Sequence, residues 1–283
     1  MSKIKNGLFV VATPIGNLGD MSARAQEILT KVDKIACEDK RVTGKLLSRF
    51  SIITPMTVYN DHNAGKIRPG LIADLMHGAA IALVSDAGMP AISDPGYKLI
   101  QACINDNIPL TVIPGPNAAL TGLVQSGLPT NRFLFQGYLP VKSGARRSEL
   151  EELSRIPATL VVYESGKRLA KSLADMASVL GDRPAAVARE LTKLYEEVRR
   201  GSLAELANLY GAGLAPRGEI VVVIAPPEAP PLPNELELKA MLAGRLSHLS
   251  VKDAASEVAQ ITQIPRKILY DIAVRLMHEK DGR

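Results

Sequence analysis

Short apolar runs rich in β-branched residues recur along the amino-terminal part of the chain, at 8–12, 34–38, 81–85 and 110–113. Between them the apolar positions shift to helical spacing. In 22–32, Ala25, Ile28 and Leu29 fall on one face, and 65–77 and 95–105 read the same way. Strand alternating with helix predicts a mostly parallel sheet covered on both faces. After Leu128 the texture changes: 132–139, 159–165, 185–190 and 219–225 read as strands, with helices at 169–180 and 203–209. The pattern predicts two α/β domains, 1–129 and 130–226. Five of the eight residues from Pro226 to Pro233 are proline, which no helix or central strand can host, so 227–233 reads as an extended linker. It delivers a small helical tail, 234–283. There Ser250 has the character of an N-cap with Asp253 in the box position, and Pro265 sits where a helix would start. Two helices joined by "ITQI" resemble a helix-turn-helix, and a packing hairpin fits the pattern equally.

Composition narrows the class. The chain has 283 residues, 46% hydrophobic and 22% charged, enough to bury a core. A net charge of +5 permits a nucleic-acid partner without demanding one. Cys37 and Cys103 lie in apolar segments, and the four histidines are scattered, so neither a disulfide framework nor a metal site is expected. No apolar run reaches the length of a membrane span, and the stretch before Pro14 is too short for a signal peptide. A cytoplasmic protein is expected.

Ligands of open α/β sheets bind outside the carboxyl ends of the strands. Three of those ends run into loops rich in Gly and Pro: "ATPIGNLGD" (12–20), "SDAGMPAISDPG" (85–96) and "PGPNAAL" (114–120). Such loops hold a rigid backbone and let a ligand approach closely. None is a P-loop or a dinucleotide fingerprint. A structural role competes at each: Asp94-Pro95 could cap a helix, Asn117 could cap the helix after it, and Asp20 reads as the cap of the helix from Met21.

Taken together, "ATPIGNLGDMSARA", "ACEDKRVTGKLL", "LVSDAGMPAISDPG", "IPGPNAALTGLVQSGL", "VVYES", "ARELTKLYEE" and "PRGEIVVVI" resemble the tetrapyrrole methylase superfamily, and within it the ribosomal RNA branch. The resemblance runs from about Gly7 to the carboxyl terminus. It implies two α/β domains with S-adenosylmethionine in the cleft between them, usually in a homodimer. It also implies 2′-O-methylation of a cytidine in the decoding centre of 16S rRNA within the small ribosomal subunit. By position, the cofactor would touch Pro14, Ile15 and Gly16, then Asp86, Gly88, Met89 and Ile92, then Asn117 and Ala118. From the second domain it would meet Tyr163, Ala188 and Glu219. Where many members carry an acid, this chain has Met89, so the cofactor's polar groups would lean on backbone, with few buried countercharges. Gly166 and Lys167 replace the branch's usual Pro and His, which would loosen that turn.

A ribose hydroxyl is a poor nucleophile, so a base or an electrostatic assistant is expected. Asp39, Glu164, Glu190 and Lys193 are the candidates, Lys193 either as a deprotonated base or as a stabiliser of developing oxyanion. Glu190 and Lys193 could instead simply pair, three residues apart. Arg41, Arg146, Arg147, Arg266 and Lys267 are the candidate RNA contacts, although charge clusters are often only solvated faces. Two further readings remain beside this one. The substrate could be a tetrapyrrole precursor or a modified protein residue, or the chain could be a ribosome-binding protein without catalysis.

Overall fold

The computed structural model describes residues 4–281 apart from 214, 229–232 and 263, so most of the expected linker lies outside the described residues. It separates into two compact units, 1–227 and 228–283.

The first unit contains two sheets. Strands β1 (Gly7–Val11), β2 (Lys34–Cys37), β3 (Met56–Val58), β4 (Ala80–Val84) and β5 (Leu110–Ile113) form one, parallel throughout, in the order β3-β2-β4-β1-β5. Helices α1 (Ala23–Lys31), α2 (Lys40–Arg49), α3 (Ala64–Met76), α4 (Tyr97–Asn105) and α5 (Ala118–Ser126) alternate with its strands. The strands are apolar along their length because both faces are buried. Phe9, Val11, Ile35 and Val84 pack on Leu29 and Leu47 of α1 and α2. Leu8, Val10, Ile81 and Leu83 pack on Leu71, Leu75, Leu99 and Cys103 of α3 and α4. Connections leave the neighbouring strands β1 and β4 in opposite directions, which opens a crevice at their carboxyl ends.

Strands β6 (Phe133–Tyr138), β7 (Thr159–Ser165), β8 (Pro184–Arg189), β9 (Glu197–Ser202) and β10 (Glu219–Ile224) form the second sheet, ordered β6-β7-β10-β8-β9. Only β6 and β7 run parallel. Helices α6 (Ser143–Leu153), α7 (Gly166–Leu180) and α8 (Leu203–Ala212) cover one face through Leu169, Leu173, Met176 and Leu206. The other face is covered by α5: Ala119 and Leu123 pack on Val161, Ala188, Val221 and Val223. Here the approach is close, since a Cβ on Gly122 would lie 2.9 Å from a Val221 methyl. The helix that follows the last strand of the first sheet therefore joins the two sheets.

Some local expectations fail. The helix after the first loop is capped by Ser22, whose hydroxyl accepts from the Ala25 N–H, while Asp20 closes a short 3-10 turn capped by Asn17. Helix α4 starts at Tyr97 behind Gly96, so Asp94 caps nothing. Gly96 is needed there, with φ 139° and a virtual Cβ 2.8 Å from Leu83. The turn at Gly166 is not loose, because a Cβ at that position would lie 1.6 Å from the Pro216 carbonyl oxygen.

Among its described residues the second unit holds the expected pair of helices, α10 (Val251–Thr262) and α11 (Arg266–Asp281), preceded by a third, α9 (Glu235–Leu246). Asn234 and Glu237 form a capping box on α9, and Ser250 accepts from the Asp253 N–H ahead of α10. Leu238, Leu242, Ala254, Ala255, Val258, Leu269 and Ala273 make its core, their alanines bringing the helices close.

Candidate functional site

The loops after β1 and β4 are stitched together. Thr13 and Gly88 exchange both backbone hydrogen bonds, 2.9 and 3.0 Å, and the buried Thr13 hydroxyl donates to the Ser85 carbonyl. Gly88 has φ 80°, and a Cβ there would press within 3.3 Å of Ile15. The loop after β5 packs as tightly, with a virtual Gly115 Cβ 2.9 Å from Ala12. Asn117 accepts from the Leu120 N–H and so starts α5 with its positive end at these loops.

Together with the second sheet, these loops enclose a cleft with about 230 Å³ of free volume. Of the residues expected at the cofactor, Ile15, Asp86, Gly88, Met89 and Ile92 line it from the first two loops. Asn117, Ala118, Tyr163 and Glu219 line it from α5, β7 and β10. Pro14, Gly16 and Ala188 do not. Pro14 is buried, Ala188 faces α5, and Gly16 lies under the aliphatic stem of Lys193, whose Cγ a virtual Cβ would approach to 2.3 Å. The wall also holds residues not expected from the sequence, notably Glu38, Ser93, Asp94, Tyr138 and Leu191. Glu38 sits just past the end of β2, where the strand-end rule would have found it. Tyr138 ends β6.

The electrostatics differ from the expected poverty of countercharges. Four carboxyl groups, of Glu38, Asp86, Asp94 and Glu219, border the cleft. Burial raises both Glu38 and Asp86 from their ordinary values; the Asp86 charge raises Glu38 further, and the Asp39 charge raises Asp86. Asp94 is pushed up to about 6, mainly by burial and then by Glu38. Among the described residues no His, Cys, Asp and Glu side chains group closely enough to hold a metal ion. Aromatic rings line the cleft beside these carboxyls. Tyr163 meets Phe135 edge-on at 4.9 Å and Tyr138 at 5.6 Å, and burial pushes its hydroxyl up to about 12. A cleft with apolar and aromatic walls, a glycine pressed against its floor and a ring of carboxyls fits a cationic ligand with polar edges.

The four catalytic candidates fare differently. Asp39 caps α2 and pairs with Arg41 at 2.6 Å, which holds it near 2, too weak a base for the task. Its N–H instead donates to Asp86 at 3.1 Å. Glu164 is buried and turned the other way, because alternate positions of β7 face opposite sides: Tyr163 meets the cleft and Glu164 the α7 face. There it accepts from the Ser165 N–H and pairs with Arg168. Lys193 is not a deprotonated base. Burial alone would lower it, but Glu190 at 2.9 Å and Glu219 at 3.3 Å hold its ammonium charged above the usual lysine value. Glu190, at φ 50°, is in turn held ionised by Lys193 in spite of its burial. The Glu190–Lys193–Glu219 cluster is thus a charged strut. It reaches the first loop through Lys193 on Gly16 and through the Asn17 N–H bonded to the Thr192 hydroxyl.

Among the expected RNA contacts, Arg146 is a correction. It is 3% exposed, pairs with Asp175 at 2.5 Å and donates to the Pro140 and Val141 carbonyls, so it fastens α6 to α7. Its neighbour Arg147 is exposed and donates to Ser178. Arg41 is exposed on α2, and Arg266 and Lys267 are exposed at the start of α11.

Comparison with known proteins agrees with this architecture. The sequence model of the tetrapyrrole (corrin/porphyrin) methylases matches residues 7–207, and that of the RsmI C-terminal HTH domain matches 233–276. The chain is 46% identical over 98% of its length to a ribosomal RNA small subunit methyltransferase I of Mesorhizobium japonicum, 94% of which is covered. To the protein of the same name from Erythrobacter litoralis it is 49% identical, with 95% of each chain covered. Among solved structures it superposes on uroporphyrin-III C-methyltransferase of Thermus thermophilus complexed with S-adenosylhomocysteine. The TM-score is 0.54 at 19% identity, covering 77% of this chain and 96% of that one.

Proposed function

We propose that this chain, which belongs to the tetrapyrrole (corrin/porphyrin) methylase family, is an S-adenosylmethionine-dependent methyltransferase of small-subunit ribosomal RNA. The finer reading is transfer to the 2′-hydroxyl of a cytidine. The observation that carries the ribosomal RNA assignment is 46–49% identity, over nearly the whole chain, to relatives named for that RNA, extending through the carboxyl-terminal helices.

When bound, the cofactor supplies a methyl carbon activated by positive sulfur. This chain's residues supply the enclosure. Ile15, Gly88, Met89 and Ala118 offer an apolar slot and close backbone approach, and the carboxyls of Glu38, Asp86 and Glu219 suit a cationic ligand. Lys193 holds Glu219 in place on the cleft wall. Arg41 and Arg147, with Arg266 and Lys267 in the second unit, present exposed cations for phosphates. A homodimer fits the edge strand β5, whose Leu110 and Val112 stand 36% and 49% exposed. Among the described residues no helix is long and apolar enough to cross a membrane.

The test is transfer of labelled methyl from S-adenosylmethionine to small ribosomal subunits from cells lacking the enzyme, with naked rRNA, tRNA and a tetrapyrrole precursor alongside. Label in subunit RNA that survives alkaline hydrolysis in a dinucleotide is the expected result, because a 2′-O-methyl group blocks cleavage of the next bond. Label in the tetrapyrrole instead would overturn the substrate assignment. No label and no cofactor binding would overturn the enzyme assignment.

A further inference from the structure

Of the acids that line the cleft, Glu219 is paired with Lys193 and Asp86 accepts from the Asp39 N–H, while Asp94, like Glu38, has no cation beside it among the described residues. Asp39 is bound to Arg41 and Glu190 to Lys193, whereas no Lys, Arg or His side chain among the described residues reaches ion-pair distance of Asp94. Its carboxyl lies on the cleft wall and is only half-buried, open to a ligand. A carboxylate placed there without a cation is costly, and it caps no helix; the Ser85 hydroxyl offsets only part of that cost.

The loop that presents it is held in a disfavoured form. Ala91 and Ser93 adopt φ 68° and 62°, conformations that persist in side-chain-bearing residues only where the surroundings impose them. The imposing contact comes from the second sheet. Strand β6 shifts register between Phe135 and Gly137, and Gly137 at φ 73° makes room for the Ser93 hydroxyl, 2.9 Å from where a Cβ would sit. Ser93 thus keys the loop into the β6 bulge, and the next residue on each chain segment, Asp94 and Tyr138, faces the cleft.

We propose that Asp94 is the proton acceptor of the methyl transfer. This rests on the assignment of the chain as a ribose methyltransferase. The 2′-hydroxyl loses its proton to the Asp94 carboxylate as its oxygen bonds to the methyl carbon, and the carbon–sulfur electron pair stays on sulfur, leaving a neutral thioether. Glu38, Asp86 and Glu219 face Asp94 from the ends of β2, β4 and β10, with the Ser85 hydroxyl and the phenols of Tyr138 and Tyr163 as its other titratable or polar neighbours. Burial first, then Glu38, Asp86 and Glu219, push the carboxyl up to about 6, with Ser85 opposing. It is therefore ionised at neutral pH yet far more basic than Asp39. The rate rises with pH through about 6 and is flat above.

The experiment measures single-turnover methyl transfer to small subunits from about pH 5 to pH 8, with cofactor affinity by calorimetry and folding by circular dichroism. Asp94→Asn is expected to slow transfer roughly a hundredfold or more and to lose the ascending limb, while binding the cofactor with an affinity close to the wild-type value. Asp94→Glu keeps the limb at a reduced rate. A limb and rate unaltered in Asp94→Asn would overturn the proposal, as would a rate loss matched by lost cofactor affinity, which would make Asp94 a cofactor ligand. Should Asp94→Asn not fold, a wild-type profile without a limb near 6, or an Asp94→Glu profile identical to wild type, overturns it. If the wild-type protein transfers nothing to subunits, the parent assignment fails instead.

Discussion

The two sheets of the first unit solve the same burial problem in different ways. The parallel sheet is covered on both faces by helices of its own βα units, so each strand is apolar throughout and its carboxyl ends are free to carry loops. The largely antiparallel sheet covers one face with its own α7 and α8 and borrows α5 for the other. A borrowed helix covers only part of a face. At its amino-terminal end Tyr138, Tyr163, Glu219 and Val221 stay open to the cleft. The cleft is thus where the second sheet's cover stops, and its rigidity depends on the fit of α5.

Arginine side chains test the comparison most strongly. Arg146 acts inside the second half, and Arg146→Ala is expected to cost about 3 kcal/mol or more by stranding Asp175 and two carbonyls. Arg147→Ala is expected within about 0.5 kcal/mol, yet it is the one expected to weaken RNA binding. Equal stability losses in urea unfolding would break the distinction. Next, Gly122→Ala forces a Cβ against Val221 at the α5–β10 contact and is expected to cost about 1–3 kcal/mol and to weaken cofactor binding. The same change at Gly70 in α3, exposed and with nothing within 4 Å, is expected to stabilise by up to about 1 kcal/mol. A like sign at both sites would refute a tight interface.

Smaller, and pH-dependent, is the effect of Asp94 on stability. Its folded pKa of about 6 exceeds the ordinary 3.8, so the native state binds more protons between those values. Stability contributed by this group therefore falls as pH rises from about 4 to about 6. Asp94→Asn removes the penalty and is expected to raise stability at pH 8 by about 1–2 kcal/mol, allowing for partial exposure, and to leave it unchanged near pH 3. Thermal unfolding at the two pH values checks the sign; a destabilised variant at pH 8 would contradict it. Last, Lys193→Ala is expected to lower turnover more than cofactor affinity, since it unlocks Glu219 and the first loop without lining the cleft. Steady-state kinetics beside calorimetry would show it, and an unchanged turnover would leave Lys193 a surface strut.

The parts of the fold legible in sequence were those that one residue's own chemistry dictates. β1, β2, β4 and β5 announce themselves by apolar runs, and the Gly/Pro loops after them carry Ile15, Gly88 and Asn117 onto the wall as expected. Strand β9, "EVRRGS", carries no such run because it is an edge strand whose charged side chains meet solvent. Asp94-Pro95 satisfies the local rule for a cap, yet the loop is bent by Ser93 against a bulge more than forty residues away, and the helix starts later. Arg146 and Arg147 are adjacent and chemically identical. Helical phase alone buries the first and exposes the second, and what it buries against lies on α7.

The sequence by itself determined the alternation of strand and helix, the family and the loops that wall the cleft, because local backbone preference and apolar periodicity act over a few residues. Only the tertiary structure decided which charges work and which merely hold. Whether a carboxyl such as Asp39, Glu164 or Asp94 is paired, turned away or left facing a cleft depends on strand register and on neighbours distant in the chain. Those neighbours set its desolvation and its counterions, and through them its affinity for a proton.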